Sequence, residues 1–234
     1  MDKYLERVDS IQGWFRYNEF IPILEEVNKH QEKGNVLEIG VHHGKSFIPL
    51  VCLLKDDEKA VAVDVFEQQE FNYDKSGKGD YNKFMENLNN VFEDKSIVDR
   101  VVVVKKDSSK VKKEEYKEYV NNEKYRIISI DGCHTKKCVF IDLINANASL
   151  ADDGIILVND YLNYGWMGVK AGVDAFLKIN TNLRAIYINA YKIILCKREM
   201  YDKYIEIFKN FQNNRVINYE NECLEKKVWK KHIV

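Results

Sequence analysis

The sequence predicts an α/β protein built on a doubly wound, mainly parallel sheet. Three observations carry that expectation. Short apolar runs alternate with helical stretches, the pattern of successive βαβ units. Runs such as VVVV at 101–104 and GIILV at 154–158 are apolar throughout, as strands covered on both faces are. Two final apolar runs are joined by a tight turn, so a closing hairpin places one antiparallel strand at the far side of the sheet.

The elements follow in order. Residues 11–30 read as a helix rich in Trp14, Phe15, Tyr17 and Phe20, suited to covering a site or making a dimer contact. Residues 35–40 (NVLEIG) form the first buried strand, 45–55 a helix, and 60–65 (AVAVDV) the second strand. The segment 68–79 carries two glycines among polar residues and is placed to act as a lid. Residues 79–92 have helical spacing, with Tyr81, Phe84, Met85, Leu88, Val91 and Phe92 apolar. Strand three is 100–104 and strand four 126–130 (RIISI). A helix over 135–150, strand five over 154–158 and a helix over 169–179 come next. Strands over 183–188 and 191–197 turn at Asn189 and Ala190, and a helix over 199–211 ends the pattern. The organisation is a helical cap over 1–34, a central domain over 35–198 and a helical extension over 199–234, one compact domain overall.

Composition narrows the function classes. The chain has 234 residues, 45% hydrophobic and 31% charged, which excludes a disordered or fibrous protein. Lys and Arg total 36 against 37 Asp and Glu, a net charge of −1 that argues against a general nucleic-acid binder. No apolar run approaches the ~20 residues of a membrane span, and the opening MDKYLERVDS lacks an apolar signal core. Five cysteines, at 52, 133, 138, 196 and 223, include no C-x-x-C pair. They read as reduced thiols, and the expected location is cytoplasmic. The basic stretch 226–232 reads as a solvated face.

In a doubly wound sheet ligands lie at the carboxyl ends of the strands. After strand one stands Glu38-Ile39-Gly40-Val41-His42-His43-Gly44-Lys45-Ser46. Gly40 and Gly44 allow a tight turn and close approach to a ligand. The G-x-G-x-x-G phosphate cradle is absent, so a ligand without pyrophosphate fits better. Asp64, followed by Val65, ends strand two, where an acid can accept both ribose hydroxyls of an adenosine. Asp107 and Ser108 follow strand three, well placed for an adenine amino group. Three such features in order describe a nucleoside pocket.

The motif E-I-G-x-x-x-G followed by an acid after strand two resembles the class I S-adenosylmethionine-dependent methyltransferases. The resemblance spans about 36–197. It implies a Rossmann-like, seven-stranded doubly wound sheet with the last strand antiparallel, and a central domain that binds S-adenosyl-L-methionine. It also implies that Gly40 lies against the cofactor's amino-acid end, that Asp64 holds the ribose, and that Glu38 meets the methionine amine or supports the loop. Gly44, Ser46, Val65, Asp107 and Ser108 complete the implied cofactor set.

The second half narrows the family. Ser129-Ile130-Asp131-Gly132-Cys133-His134-Thr135, then Asp142-Leu143, Asn159-Asp160-Tyr161 and Trp166-Met167-Gly168-Val169, are similar to a glycan-modifying group. They also resemble metal-dependent O-methyltransferases of macrolide sugars, of the macrocin and mycinamicin type, and more distantly catechol-type enzymes. The resemblance implies that Asp131, Asn159 and Asp160 bind a divalent cation, Mg²⁺ first and Mn²⁺ second. The chain has Asn-Asp where the sugar-modifying relatives usually carry two acids. It also implies a general base at His134, three residues after Asp131. An imidazole has pKa ~6.5 and an aliphatic hydroxyl approaches water at ~15.7. The gap of ~9 units, roughly 12 kcal/mol, is why a base and a cation are wanted together.

The expected activity is methyl transfer to a sugar hydroxyl of a glycan, glycolipid or glycoside, by a homodimer or a module of a larger glycan-assembly protein. Phenol or catechol methylation and a non-catalytic binding module are the alternatives; a nicotinamide oxidoreductase lacks its phosphate fingerprint. Several residues keep two readings. Asp131 and Asp160 are ligands or helix caps, and His134 is the base or makes a local hydrogen bond. Tyr161, Tyr164 and Trp166 line a sugar site or pack, His42 and His43 touch ligand or face solvent, and Arg126 is read as structural.

Overall fold

The computed structural model describes residues 1–209. Helices α1 (Asp2–Arg7) and α2 (Tyr17–His30) lead into β1 (Asn35–Ile39), α3 (Phe47–Cys52) and β2 (Ala60–Asp64). Helices α4 (Tyr81–Val91) and α5 (Lys95–Val98) precede β3 (Val101–Lys105), and α6 (Lys113–Glu118) precedes β4 (Tyr125–Ile130). Then come α7 (Lys136–Ser149), β5 (Leu150–Asn159), α8 (Met167–Ile179), β6 (Leu183–Ile188), β7 (Lys192–Lys197) and α9 (Tyr201–Lys209).

The strands form one seven-stranded sheet in the order β3-β2-β1-β4-β5-β7-β6. Pairing is parallel from β3 through β5. Strand β7 is antiparallel to both β5 and β6, so it lies one strand inside the edge rather than at the far side. This is the Rossmann-like methyltransferase fold. Its layers follow from burial: β1 and β4 are buried at every position, and apolar side chains on both faces pack under helices. One face carries Phe20, Leu24, Phe47, Leu50, Phe84 and Phe208, and the other Tyr116, Leu143, Val173 and Phe176.

Helix starts obey local chemistry. Asp80 accepts from the Lys83 amide (2.9 Å) at the start of α4, and Thr135 from the Cys138 amide (3.4 Å) at the start of α7. Pro49 stands in the first turn of α3, where a missing N–H leaves no helical bond unmade. Two expected helices shorten: 11–30 is helical only from Tyr17, and 45–55 only over Phe47–Cys52. Strand five lengthens to Leu150–Asn159. The expected end of the last helix at 211 and the basic stretch 226–232 lie outside the described residues. Among the described residues, no helix is long and apolar enough to cross a membrane.

Arg126 anchors the floor beneath the sheet's amino ends. It is fully buried and bidentate to Glu58, Nε to Oε1 at 3.0 Å and Nη2 to Oε2 at 2.7 Å. Its Nη2 also donates to the Leu53 carbonyl (2.7 Å).

Candidate active site

The strand order reverses between β1 and β4, so their carboxyl ends diverge and open a crevice. A cavity of about 760 Å³ lies there, walled by Gly40, Ser46, Asp64, Val65, Ser108, Asp131, His134, Asn159 and Asp160. Nine sequence-predicted residues thus meet in one space. Glu38, Gly44 and Asp107 stand behind the wall.

Gly40 is demanded by backbone crowding. Its φ is +83°, and a Cβ there would lie 2.1 Å from the Asp131 carbonyl oxygen. The Asp131 amide donates to the Ile39 carbonyl and the Gly40 amide to Val63, both at 2.8 Å, so three strand ends are tied at this point. Gly44 (φ +90°) packs against Phe84 instead of the cavity.

Asp64 organises the loop after β1. The Val41 and His42 amides each donate to its Oδ2 at 2.8 Å, and the Phe66 amide to its Oδ1 at 2.6 Å. Burial raises its pKa, and these three donors oppose the rise. A carboxylate offers about four acceptor positions, so capacity remains for a ligand hydroxyl. Glu38 lies beneath, accepting from Ser129 Oγ (2.7 Å) and Ser46 Oγ (3.1 Å). Burial carries it up to about 8 against those hydrogen bonds. Ser46 thereby joins it to the loop after β1. Asp107 accepts from the Ser109 amide (2.9 Å) and the Tyr73 hydroxyl (3.0 Å), leaving Ser108 on the wall.

The ends of β4 and β5 bring the acidic residues together. One ligand atom from each of Asp131, His134 and Asp160 lies within 4.8 Å of the others. Neither acid caps a helix: Thr135 caps α7, and α8 has no side-chain cap. The Asn159 amide nitrogen donates to Asp131 Oδ2, and Asn159 Oδ1 is buried without a hydrogen-bond partner. Burial raises Asp131 to about 7, against the charges of Lys192 and His134. Asp160 adopts φ +58°, with its amide 2.5 Å from the Tyr191 carbonyl and its Oδ1 accepting from Asn163 (3.0 Å).

His134 sits between carboxylates. Its Nδ1 is 2.7 Å from Asp74 Oδ2, and its Nε2 is 3.3 Å from Asp160 Oδ2. Trp166 stacks on the ring at 4.4 Å. Burial opposes protonation, but the bonds to Asp160 and Asp74 and the charge of Asp131 outweigh it and bring the imidazole to about 10. Asp74 is held well below the usual carboxylate range: burial raises it, and His134 and Ser76 lower it further.

Asp74 was not singled out from sequence. It lies in the segment 68–79 read as a lid, within a stretch that belongs to the resembled pattern, and its Oδ1 accepts from the Ser76 amide (3.0 Å) and hydroxyl (2.7 Å) as in an Asx turn. Lys192 was also missed; it opens β7 and lines the cavity. Among the residues with two readings, Trp166 lines the cavity, whereas buried Tyr161 donates to Asp174 (2.8 Å) and packs. His42 lines the cavity, stacked on His43 and tilted against Trp14.

A family model described as a methyltransferase domain matches residues 37–161, and the chain belongs to this family. Membership makes it a methyltransferase and supports S-adenosyl-L-methionine as its methyl donor. Solved structures share the fold. The O-methyltransferase NovP superposes with TM-score 0.60 at 14% identity, covering 78% of this chain and 79% of that one. CalS11, described as a TDP-rhamnose 3′-O-methyltransferase of calicheamicin biosynthesis, gives 0.58 at 17%, covering 76% and 77%. An O-methyltransferase from Bacillus cereus, solved with S-adenosylhomocysteine, gives 0.56 at 14%, covering 83% and 88%. No curated protein sequence matches the chain.

Proposed function

We propose that the chain is an O-methyltransferase whose acceptor is a sugar hydroxyl. The observation that carries the reading is the convergence of Asp131, His134 and Asp160 on the cavity wall beside Gly40. Asp64 and Ser108 take the adenosine half of the donor, and Gly40 and Ser46 the amino-acid half.

A divalent cation fits this wall. Asp131 and Asp160 supply carboxylate oxygens and Asn159 its unpartnered Oδ1, an all-oxygen set that favours Mg²⁺, with Mn²⁺ next. When bound, the cation would polarise an acceptor hydroxyl and lower the cost of its deprotonation. His134 Nε2 faces the same point, and Asp74 fixes the ring through Nδ1. A cation held by Asp131 and Asp160 would offset the carboxylate charges that keep the imidazole protonated, and the neutral ring would then receive the hydroxyl proton at Nε2 as the oxygen attacks the methyl carbon and the sulfonium leaves as thioether. Trp166, stacked on His134, presents an aromatic face to the acceptor. The wall's main contribution is orientation of the two reactants. CalS11, described as a TDP-rhamnose 3′-O-methyltransferase, supports a sugar acceptor.

The test is thermal unfolding with S-adenosylhomocysteine, with and without Mg²⁺, beside a chelator control. A ligand at a hundred times its Kd stabilises by about 2.7 kcal/mol. The expected result is a nucleoside shift that Mg²⁺ enlarges in the native chain and not in Asp160→Ala, followed by turnover on hexose acceptors rather than catechols. A shift indifferent to Mg²⁺ counts against the cation, and turnover confined to catechols against the sugar.

A further inference from the structure

Lys192 is buried at 3% exposure, yet it lines the cavity. Its Nζ lies 5.0 Å from the Phe20 ring centroid and 5.7 Å from that of Phe15. Among the described residues no carboxylate forms an ion pair with it within 4.0 Å. The acids nearest to it hold hydrogen bonds to other groups, and none reaches it as an ion-pair partner. Asp131 accepts from Asn159, Asp160 faces His134 and Asn163, Glu38 accepts from two serines, and Glu19 accepts from Tyr187 and Asn189. A buried ammonium is costly unless paired, so a cavity-facing one calls for an anion carried in by a ligand.

Its place in the sheet indicates which anion. Lys192 pairs across from Asn159, whose side chain donates to Asp131 on β4, and it lines one cavity with Asp131 and with Gly40 at the end of β1. Its head therefore reaches back toward the β1–β4 crevice. Asp64 and Ser108, at the ends of β2 and β3, suit the adenosine. From β3 to β4 is three strand spacings, about 14 Å, so a donor lying across the strand ends brings its amino-acid end toward β4 and Lys192.

We propose that Lys192 is the counter-ion of the cofactor's methionine carboxylate, a binding role for a β7 residue far in sequence from the glycine loop. This rests on the S-adenosylmethionine reading above.

Calorimetric titration tests it with two ligands: S-adenosylhomocysteine and its decarboxylated analogue, which keeps the amine and thioether. The native chain should prefer the carboxylate ligand by about ten- to a hundredfold, the range of a charge-assisted bond. Lys192→Met should lose that preference while binding the analogue within about twofold of native, and Lys192→Arg should recover part of it. Lys192→Gln serves the same comparison if the Met variant does not fold. An undiminished preference in Lys192→Met overturns the proposal and assigns the lysine's anion to the acceptor. Equal weakening of both ligands also overturns it, as a general packing effect. A native chain that binds neither ligand refutes the cofactor reading itself.

Discussion

Replacing Glu58 by Gln should destabilise the protein by about 3–5 kcal/mol, the cost of leaving one member of a buried ion pair without its partner. The geometry supports the upper part of that range. Glu58 is buried, and each carboxylate oxygen serves two donors. Oε1 accepts from the Gly34 amide (2.7 Å) and Arg126 Nε (3.0 Å), and Oε2 from the Lys55 amide (2.8 Å) and Arg126 Nη2 (2.7 Å). Whichever way the Gln amide turns, its NH₂ faces two donors. With a urea m-value of about 2.5 kcal/mol/M, the midpoint should fall by about 1–2 M. The pH dependence gives a second signature. Burial raises the Glu58 pKa, but bonds from Arg126, Gly34 and Lys55 outweigh it and hold the group below the usual glutamate value. A depressed folded pKa contributes stability above the unfolded value, ~4.3, and loses it as pH falls through the folded value. The gap between native and variant should therefore be widest near neutrality and close in acid. Pairing Glu58→Leu with Arg126→Met should regain much of the loss, because no charge is then stranded. A midpoint shift below about 0.3 M, or a gap that ignores pH, would refute the reasoning.

Three predictions concern the site. In the chelator-treated protein, Asp74→Asn should lower the His134 pKa from about 10 by roughly 1–3 units, read from the imidazole proton resonances; an unmoved titration would sever Asp74 from His134. Because the folded value is raised, the stability linked to His134 is full below ~6.5 and lost as pH rises through the folded pKa, so the variant should lose it at lower pH than the native chain. Asp64→Asn places an NH₂ against at least one backbone amide and should weaken S-adenosylhomocysteine binding by about tenfold or more, measured by calorimetry. Gly40→Ala should abolish that binding and lower Tm by several degrees, since its Cβ would overlap the Asp131 carbonyl at 2.1 Å; native-like affinity would show that the β1–β4 junction can yield.

What the sequence disclosed tracks how local each signal is. Parallel strands announce themselves as short apolar runs, so β1 to β5 are legible in the sequence, although β3, whose VVVV run reads as covered on both faces, is a half-buried edge strand. Helices α1, α5 and α6 have six, four and six residues, too few turns to show a periodic face. The expected helix over 11–30 begins late because Ile11 is drawn into the core while Trp14 stays 75% exposed, a pattern that composition reads simply as aromatic. The turn at Asn189 was legible because its cause is local: Asn189 Oδ1 accepts from the Tyr191 and Lys192 amides at 2.9 and 2.7 Å.

The site divides along the same line, and the division bears on how such a wall should be read. A residue's position after a strand shows that it reaches the ligand edge, and Gly40, Asp64, Asp131 and Asp160 were found that way. Position does not show which side of the wall a side chain takes, and Glu38, Gly44 and Asp107 carry the right chemistry behind it. Nor does it show partners brought by topology: Asp74 meets His134 across 60 positions, and Lys192 faces Asn159 only because β7 inserts between β5 and β6. Those two residues set the electrostatics of the cluster. Asp74 turns the imidazole, and Lys192 opposes the burial that raises Asp131. The acids after β4 and β5 thus gather at one point of the wall, while the residues that set its electrostatics come from a loop and a distant strand.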